Sequence, residues 1–138
     1  MDAFIEIYTR LKSENLHLLK EIYSLDIHFT DPAHELRGLV QLEAYFRNLY
    51  ANLIFIHFEF LHPKRVGEQG YVQWLMTYAH PRLNGGRTIS VPGATFLQFD
   101  ASGKACVHRD YFDLGAMIYQ HLPILAFAVR FINRRLGR

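Results

Sequence analysis

The stretch Lys104–Leu114, KACVHRDYFDL, decides how this chain is read. It follows the turn signal Asp100-Ala101-Ser102-Gly103 and precedes a long apolar segment. His108, Asp110 and Phe112 fall on one face of the strand that its two-residue alternation implies. A carboxylate on an otherwise apolar strand face must find a partner or keep its proton, because an unpaired buried charge is expensive. Asp110 is therefore the first candidate functional residue.

Working back from that strand, three more strand-like stretches precede it. Ile54–Leu61 alternates Ile54, Ile56, Phe58 and Phe60 with His57 and Glu59; Tyr71–Ala79 presents Val72, Trp74, Met76 and Tyr78 on its bulkier face. Asn84-Gly85-Gly86 turns into Arg87–Phe99, where Pro92-Gly93 predicts a bulge or bend. Upstream, Phe4, Ile5, Tyr8 and Leu11 lie at helical spacing, as do Leu16, Leu19, Ile22 and Tyr23, so two short helices open the chain, with Ser13 a cap between them. Ile27–Asp31 is a brief extended piece ended by Asp31-Pro32. Leu39, Leu42, Tyr45, Phe46, Leu49 and Tyr50 describe a third amphipathic helix. Downstream, Gly115–Leu136 reads as helix broken or restarted at Pro123. Helices gathered on one side of a curved antiparallel meander give an α+β class and a cone-shaped cavity open at one end.

Composition bounds what such a domain can do. With 138 residues and half of them hydrophobic, the chain suits one domain, residues 1–138, with a real core. Eleven Phe, eight Tyr and one Trp favour a thick core or a ring-walled pocket. The net charge of +2 includes Arg130, Arg134, Arg135 and Arg138, which leaves −2 for the remainder and excludes a nucleic-acid surface on the body. One cysteine, Cys106, permits a reducing compartment, and no basic-then-apolar leader opens the chain, so a cytoplasmic location is expected.

The element order and the quoted residues resemble the nuclear transport factor 2-like superfamily, which includes ketosteroid isomerases, limonene epoxide hydrolases, scytalone dehydratases and SnoaL-like polyketide cyclases. The run from Gly103-Lys104 to Leu114 looks like the end of limonene epoxide hydrolase, where the aspartate at Asp110 acts in epoxide opening. Tyr23 to Asp31-Pro32 looks like the ketosteroid isomerases, whose proton-shuttling aspartate immediately precedes a proline. Tyr8 falls within one residue of the isomerase tyrosine that donates to the developing oxyanion. The chain also departs from both patterns. Met76 and Tyr78 stand where the hydrolases carry an arginine and an aspartate, and Asp31 and Phe29 where they carry an asparagine and a tyrosine. Thr95 takes the place of the isomerases' protonated aspartate. The resemblance implies that Val72, Trp74, Met76, Tyr78, Thr95, His108, Asp110 and Phe112 face the cavity.

Each candidate has a chemical and a structural reading. Asp31 and Asp110 can divide acid and base roles in one apolar cavity, or each can order its own loop or strand. His108 can relay a proton to Asp110 or serve as a hydrogen-bonded core histidine. Trp74, Met76 and Tyr78, with Thr95, Phe112 and Phe29, line a ligand site or pack the core. Asp113 caps the helix that follows it. The other histidines are scattered, so no metal site is expected, and the implied chemistry needs no cofactor.

The expected function is binding of an apolar small molecule with acid–base chemistry by Asp110, Asp31, Tyr8 and His108. A non-catalytic carrier or dimerising module is the alternative. Phe55, Leu61, Tyr71 and Leu75 make the outer sheet face apolar, which predicts a homodimer. The final helix is expected to cover the cone and leave a basic edge, with membrane-surface contact the alternative.

Overall fold

The computed structural model describes residues 1–136 and has the expected α+β architecture. Arg138, counted above among the C-terminal arginines, lies outside the described residues. Helices α1 (Asp2–Arg10) and α2 (Leu19–Ile22) lead into strand β1 (Tyr23–Thr30) and a short β2 (Glu35–Arg37); helix α3 (Leu39–Asn52) follows. The strands β3 (Phe55–Val66), β4 (Gln69–Ala79), β5 (Ile89–Phe99) and β6 (Ala105–Phe112) form the meander. The chain closes with α4 (Leu114–Met117) and α5 (Pro123–Leu136).

The six strands lie in the order β2-β1-β6-β5-β4-β3. All neighbours are antiparallel except β1 and β6, which run parallel and bring Phe29 opposite His108. Tyr23, expected at the end of a helix, instead begins β1, so that strand is longer than the piece expected at 27–31. β2 was not foreseen, because Glu35-Leu36-Arg37 is too short a run for its alternation to register as a strand. β3 also runs past Leu61 to Val66, bending at His62-Pro63, where the register shifts and His62 has a positive φ of 53°. As an edge strand it tolerates the proline.

Alternation on β4 buries Val72, Trp74, Met76 and Tyr78 together, and on β5 Ile89, Val91, Thr95, Leu97 and Phe99. Pairing across β4 and β5 runs unbroken through Pro92 and Gly93, so the expected bulge is absent. Glycine is required at 93 for space: a Cβ there would lie within 2.6 Å of three atoms of the indole of Trp74, its partner on β4. Pro92 lies one residue beyond the last β6 pair, Gly93 with Phe112, so its missing N–H costs no bond on that side.

Helices α1, α2 and α3 pack on the concave face. Their Phe4, Ile7, Tyr8, Leu19, Leu42 and Phe46 join Tyr23, Ile27, Phe29 and Leu97 in one core. A second cluster of Trp74, Met76, Tyr78, Ile89 and Val91 fills the other end of the sheet, with Phe58 and Phe60 packed against both. Pro123 opens α5 as expected, in a first turn. The expected lid is supplied by α4, capped by Asp113 through the N–H groups of Gly115 and Ala116. α5 itself buries only Ala126.

Candidate active site

Between the two core clusters lies a cavity lined by rings from α1, α3 and the sheet, including Tyr8, Phe29, Tyr45, Phe58, Trp74 and Tyr78, together with Asp31 and Asp110. The cavity has a volume of about 50 Å³, room for a molecule of a few non-hydrogen atoms rather than an extended one. Met76, Phe112 and Met117 complete its apolar wall. At the mouth the Tyr78 hydroxyl donates to the Met117 carbonyl, which ties α4 across the opening.

Asp110 sits opposite Thr95 in the antiparallel pairing of β5 with β6, and this register builds a chain of donors. Trp74 Nε1 donates to Thr95 Oγ1 at 2.8 Å; Thr95 Oγ1 in turn donates to Asp110 Oδ1 at 2.5 Å. His108 Nε2 lies 2.7 Å from the same oxygen, and His108 Nδ1 lies 2.8 Å from the Tyr23 hydroxyl. Burial holds the Tyr23 phenol well above its ordinary pKa, so it stays a neutral donor. The Tyr23 hydroxyl pairs with Nδ1, and Nε2, facing a carboxylate that can only accept, presents its proton to Asp110.

Every donor in this chain thus converges on Oδ1. Oδ2 has no hydrogen-bond partner among the described residues, and the Asp110 side chain keeps 12% of its surface accessible. The only fully occluded, partnerless polar side-chain atom among the described residues is Ser24 Oγ, so Oδ2 is not sealed in the core. Of the two alternatives for this carboxyl, it has found partners, on one oxygen, and is open on the other. A proton gained by this carboxyl would rest on Oδ2.

Asp31 also lines the cavity, yet both its oxygens are engaged. Oδ1 accepts the backbone N–H groups of Ala33 and His34, each at 2.7 Å; Oδ2 accepts the Tyr45 hydroxyl at 3.0 Å, with His34 Nδ1 beside both. This is the local wiring of a pre-proline turn, in which the carboxylate satisfies amides two and three residues on. Tyr8 behaves in the opposite way. Its hydroxyl has no hydrogen-bond partner among the described residues, and burial, reinforced by Tyr23 and Asp110, pushes its phenol well above the ordinary range. Tyr8 thus offers the cavity a neutral O–H donor.

The structure brings Tyr8, Phe29, Asp31, Trp74, Met76, Tyr78, Asp110 and Phe112 onto one cavity; His108 and Thr95 stand behind Asp110. Sequence reasoning missed Tyr23, which sits at the far end of the donor chain, and Tyr45, which holds Asp31. Both carried only the helical spacing of core residues. Among the described residues no group of three or more His, Cys, Asp or Glu side chains is placed to hold a metal ion.

The model of the SnoaL-like domain matches residues 4–108. This chain belongs to the SnoaL-like domain family. Asp110 and Phe112 lie just past the matched span, so their assignment rests on the geometry above. No match is found among curated proteins. Solved structures share the fold of this SnoaL-like protein at low identity. A nuclear transport factor 2-like protein of unknown function from Burkholderia pseudomallei K96243 is 18% identical with a TM-score of 0.76, covering 88% of this chain and 96% of its own. A protein described as a SnoaL-like polyketide cyclase from Shewanella denitrificans OS-217 is 18% identical with a TM-score of 0.72, covering 84% and 91%. A protein of ketosteroid isomerase-like fold from Catenulispora acidiphila DSM 44928, in complex with trimethylamine, is 17% identical with a TM-score of 0.69, covering 78% and 81%.

Proposed function

We propose that this protein binds a compact, mostly apolar molecule and performs acid–base chemistry on it without a cofactor, Asp110 Oδ2 being the atom that takes and returns the proton. The observation that carries the reading is the asymmetry of Asp110: Thr95 and His108 hold one oxygen, and the other is open beside a ring-lined cavity. A carboxylate whose orientation is fixed by two donors needs little reorganisation to remove a proton next to a carbonyl, or from an attacking water. Tyr8 supplies the hydrogen bond to the substrate oxygen on which charge develops. His108 positions Asp110 and Asp31 holds its own turn and Tyr45, so the second carboxylate has a structural part rather than a share in proton transfer. Isomerisation, dehydration and ring opening all use this same set.

A second reading, binding without turnover, is favoured by one observation: Asp31 is not free to act as a partner acid. Rings around a carboxylate would also suit a small amine, the ligand class in the Catenulispora structure. We extend the proposal to a homodimer through the outer sheet face, where Phe55, Leu61, Tyr71 and Tyr111 are exposed. Sedimentation at micromolar concentration is expected to show a dimer, and monomer alone would remove that part. The functional reading is tested by mass spectrometry of small molecules released from the denatured protein. A compact oxygen-bearing apolar molecule, turned over by the wild type and bound unchanged by Asp110→Asn, is expected; a released amine with no turnover would establish the second reading.

A further inference from the structure

We propose that α5 is an in-plane anchor for an anionic lipid bilayer. Ile124, Phe127, Ala128, Phe131 and Ile132 recur at the i, i+3, i+4, i+7, i+8 spacing that ordinarily turns a helix toward a core. Here that stripe faces outward. Ile124 is 85% exposed, Phe127 72%, Phe131 50% and Ile132 54%, while the side turned to the body buries only Ala126. Nothing among the described residues covers the stripe, so the hydrophobic effect must be satisfied by a surface outside this chain.

Charge selects that surface. From Leu114 to Arg138 the sequence contains no Asp or Glu, and α5 carries Arg130, Arg134 and Arg135. Arg130 and Arg134 are four apart and border the stripe, while the Arg135 guanidinium lies 4.8 Å from the Phe131 ring centre at the end of it. An apolar stripe edged by unopposed arginines matches acyl chains beneath anionic headgroups. Pairing with α5 of a second copy would set arginines against arginines with no acidic residue on either helix. The helix is about 21 Å long at its 14 residues. No helix of the described residues is long and apolar enough to cross a membrane, so α5 would lie on the surface. Because α5 follows directly from α4 and the turn Tyr119–His121, docking would bring the cavity mouth to the bilayer. That consequence rests on the ligand-binding reading, whereas docking itself does not.

Vesicle flotation of the full chain tests docking alone. Binding is expected to vesicles of equal parts phosphatidylcholine and phosphatidylserine, weakened by added salt and absent with phosphatidylcholine alone. The triple variant Arg130→Gln, Arg134→Gln, Arg135→Gln should lower partition on the order of a hundredfold. Phe127→Glu with Phe131→Glu should abolish it; both side chains are exposed, so circular dichroism and thermal melting should stay at the wild-type values. Equal binding to both vesicles, or no binding to either, would overturn the proposal. A dimer that forms without lipid and dissociates in the Phe127→Glu, Phe131→Glu variant would assign the stripe to a second copy instead. Loss of ligand turnover with vesicle binding intact would count against the cavity reading and leave the anchor standing.

Discussion

Replacing His108 by phenylalanine tests whether the donor chain behind Asp110 is a working unit. The ring volume is retained among Phe4, Tyr8 and Phe29, so packing changes little. Two hydrogen bonds are lost. Tyr23 is 1% exposed and its hydroxyl has no partner but His108 Nδ1 among the described residues, so it is left buried and unsatisfied, at a cost of about 1–3 kcal/mol. Asp110 Oδ1 keeps Thr95, and the accessible side chain admits water, so the second loss is nearer ~1 kcal/mol. The sum is about 2–4 kcal/mol in urea denaturation. Tyr23→Phe alone should cost ~1–2 kcal/mol, and the double variant should fall short of the sum of the singles by ~1–3 kcal/mol, because its two phenyl rings leave no orphaned donor at that contact. Additive effects, or a His108→Phe loss below about 0.5 kcal/mol, would refute the chain as drawn.

Other perturbations follow from the same contacts. Gly93→Ala drives a methyl group into the Trp74 ring and should destabilise by about 1–3 kcal/mol, read by denaturation, with loss of the Trp74 to Thr95 bond visible in the indole N–H resonance. Tyr78→Phe frees the Met117 carbonyl; stability should fall by about 0.5–1.5 kcal/mol, and the amides of Met117 and Ile118 should exchange faster than those of the sheet. Burial pushes the Tyr78 phenol up to about 12, and those of Tyr8, Tyr23, Tyr45 and Tyr50 upward as well. The fold therefore favours the neutral phenols: their contribution is complete below the unfolded value of about 10 and is lost as pH rises through the folded values. Stability measured against pH should consequently stay level up to about pH 9, fall above 10, and fall less steeply in Tyr23→Phe.

The concave face was legible because Val72, Trp74, Met76 and Tyr78 alternate over a full strand, and so do His108, Asp110 and Phe112. A two-residue period fixes which side chains share a face, and that is most of what positions the cavity. Tyr23 was read as helical because Leu19, Ile22 and Tyr23 continue a 3.6-residue spacing; only pairing with Ala105 makes it the first residue of a strand. Gly93 next to proline has the local signature of a bulge. Its true cause is a ring from the neighbouring strand, a contact that no local pattern encodes. Asp31 and Asp110 look alike in sequence, and the difference between them is one of wiring. Asp31 closes on amides within its own turn, whereas Asp110 is oriented by Thr95 and His108 and keeps one oxygen open. The apolar final helix was expected to cover the cone, and that Ile124, Phe127, Phe131 and Ile132 stay exposed depends on tertiary packing that no local pattern encodes.

The claim that Asp110 Oδ2 is the open, reactive oxygen is tested most directly by carboxyl-carbon NMR of aspartate-labelled protein titrated with acetone, a ketone small enough for the cavity. The Asp110 resonance is expected to shift saturably, the Asp31 resonance to stay in place, and the wild type but not Asp110→Asn to exchange the ketone's α-hydrogens for deuterium in heavy water. A shift of Asp31 with Asp110 unmoved, or exchange that survives Asp110→Asn, would contradict it.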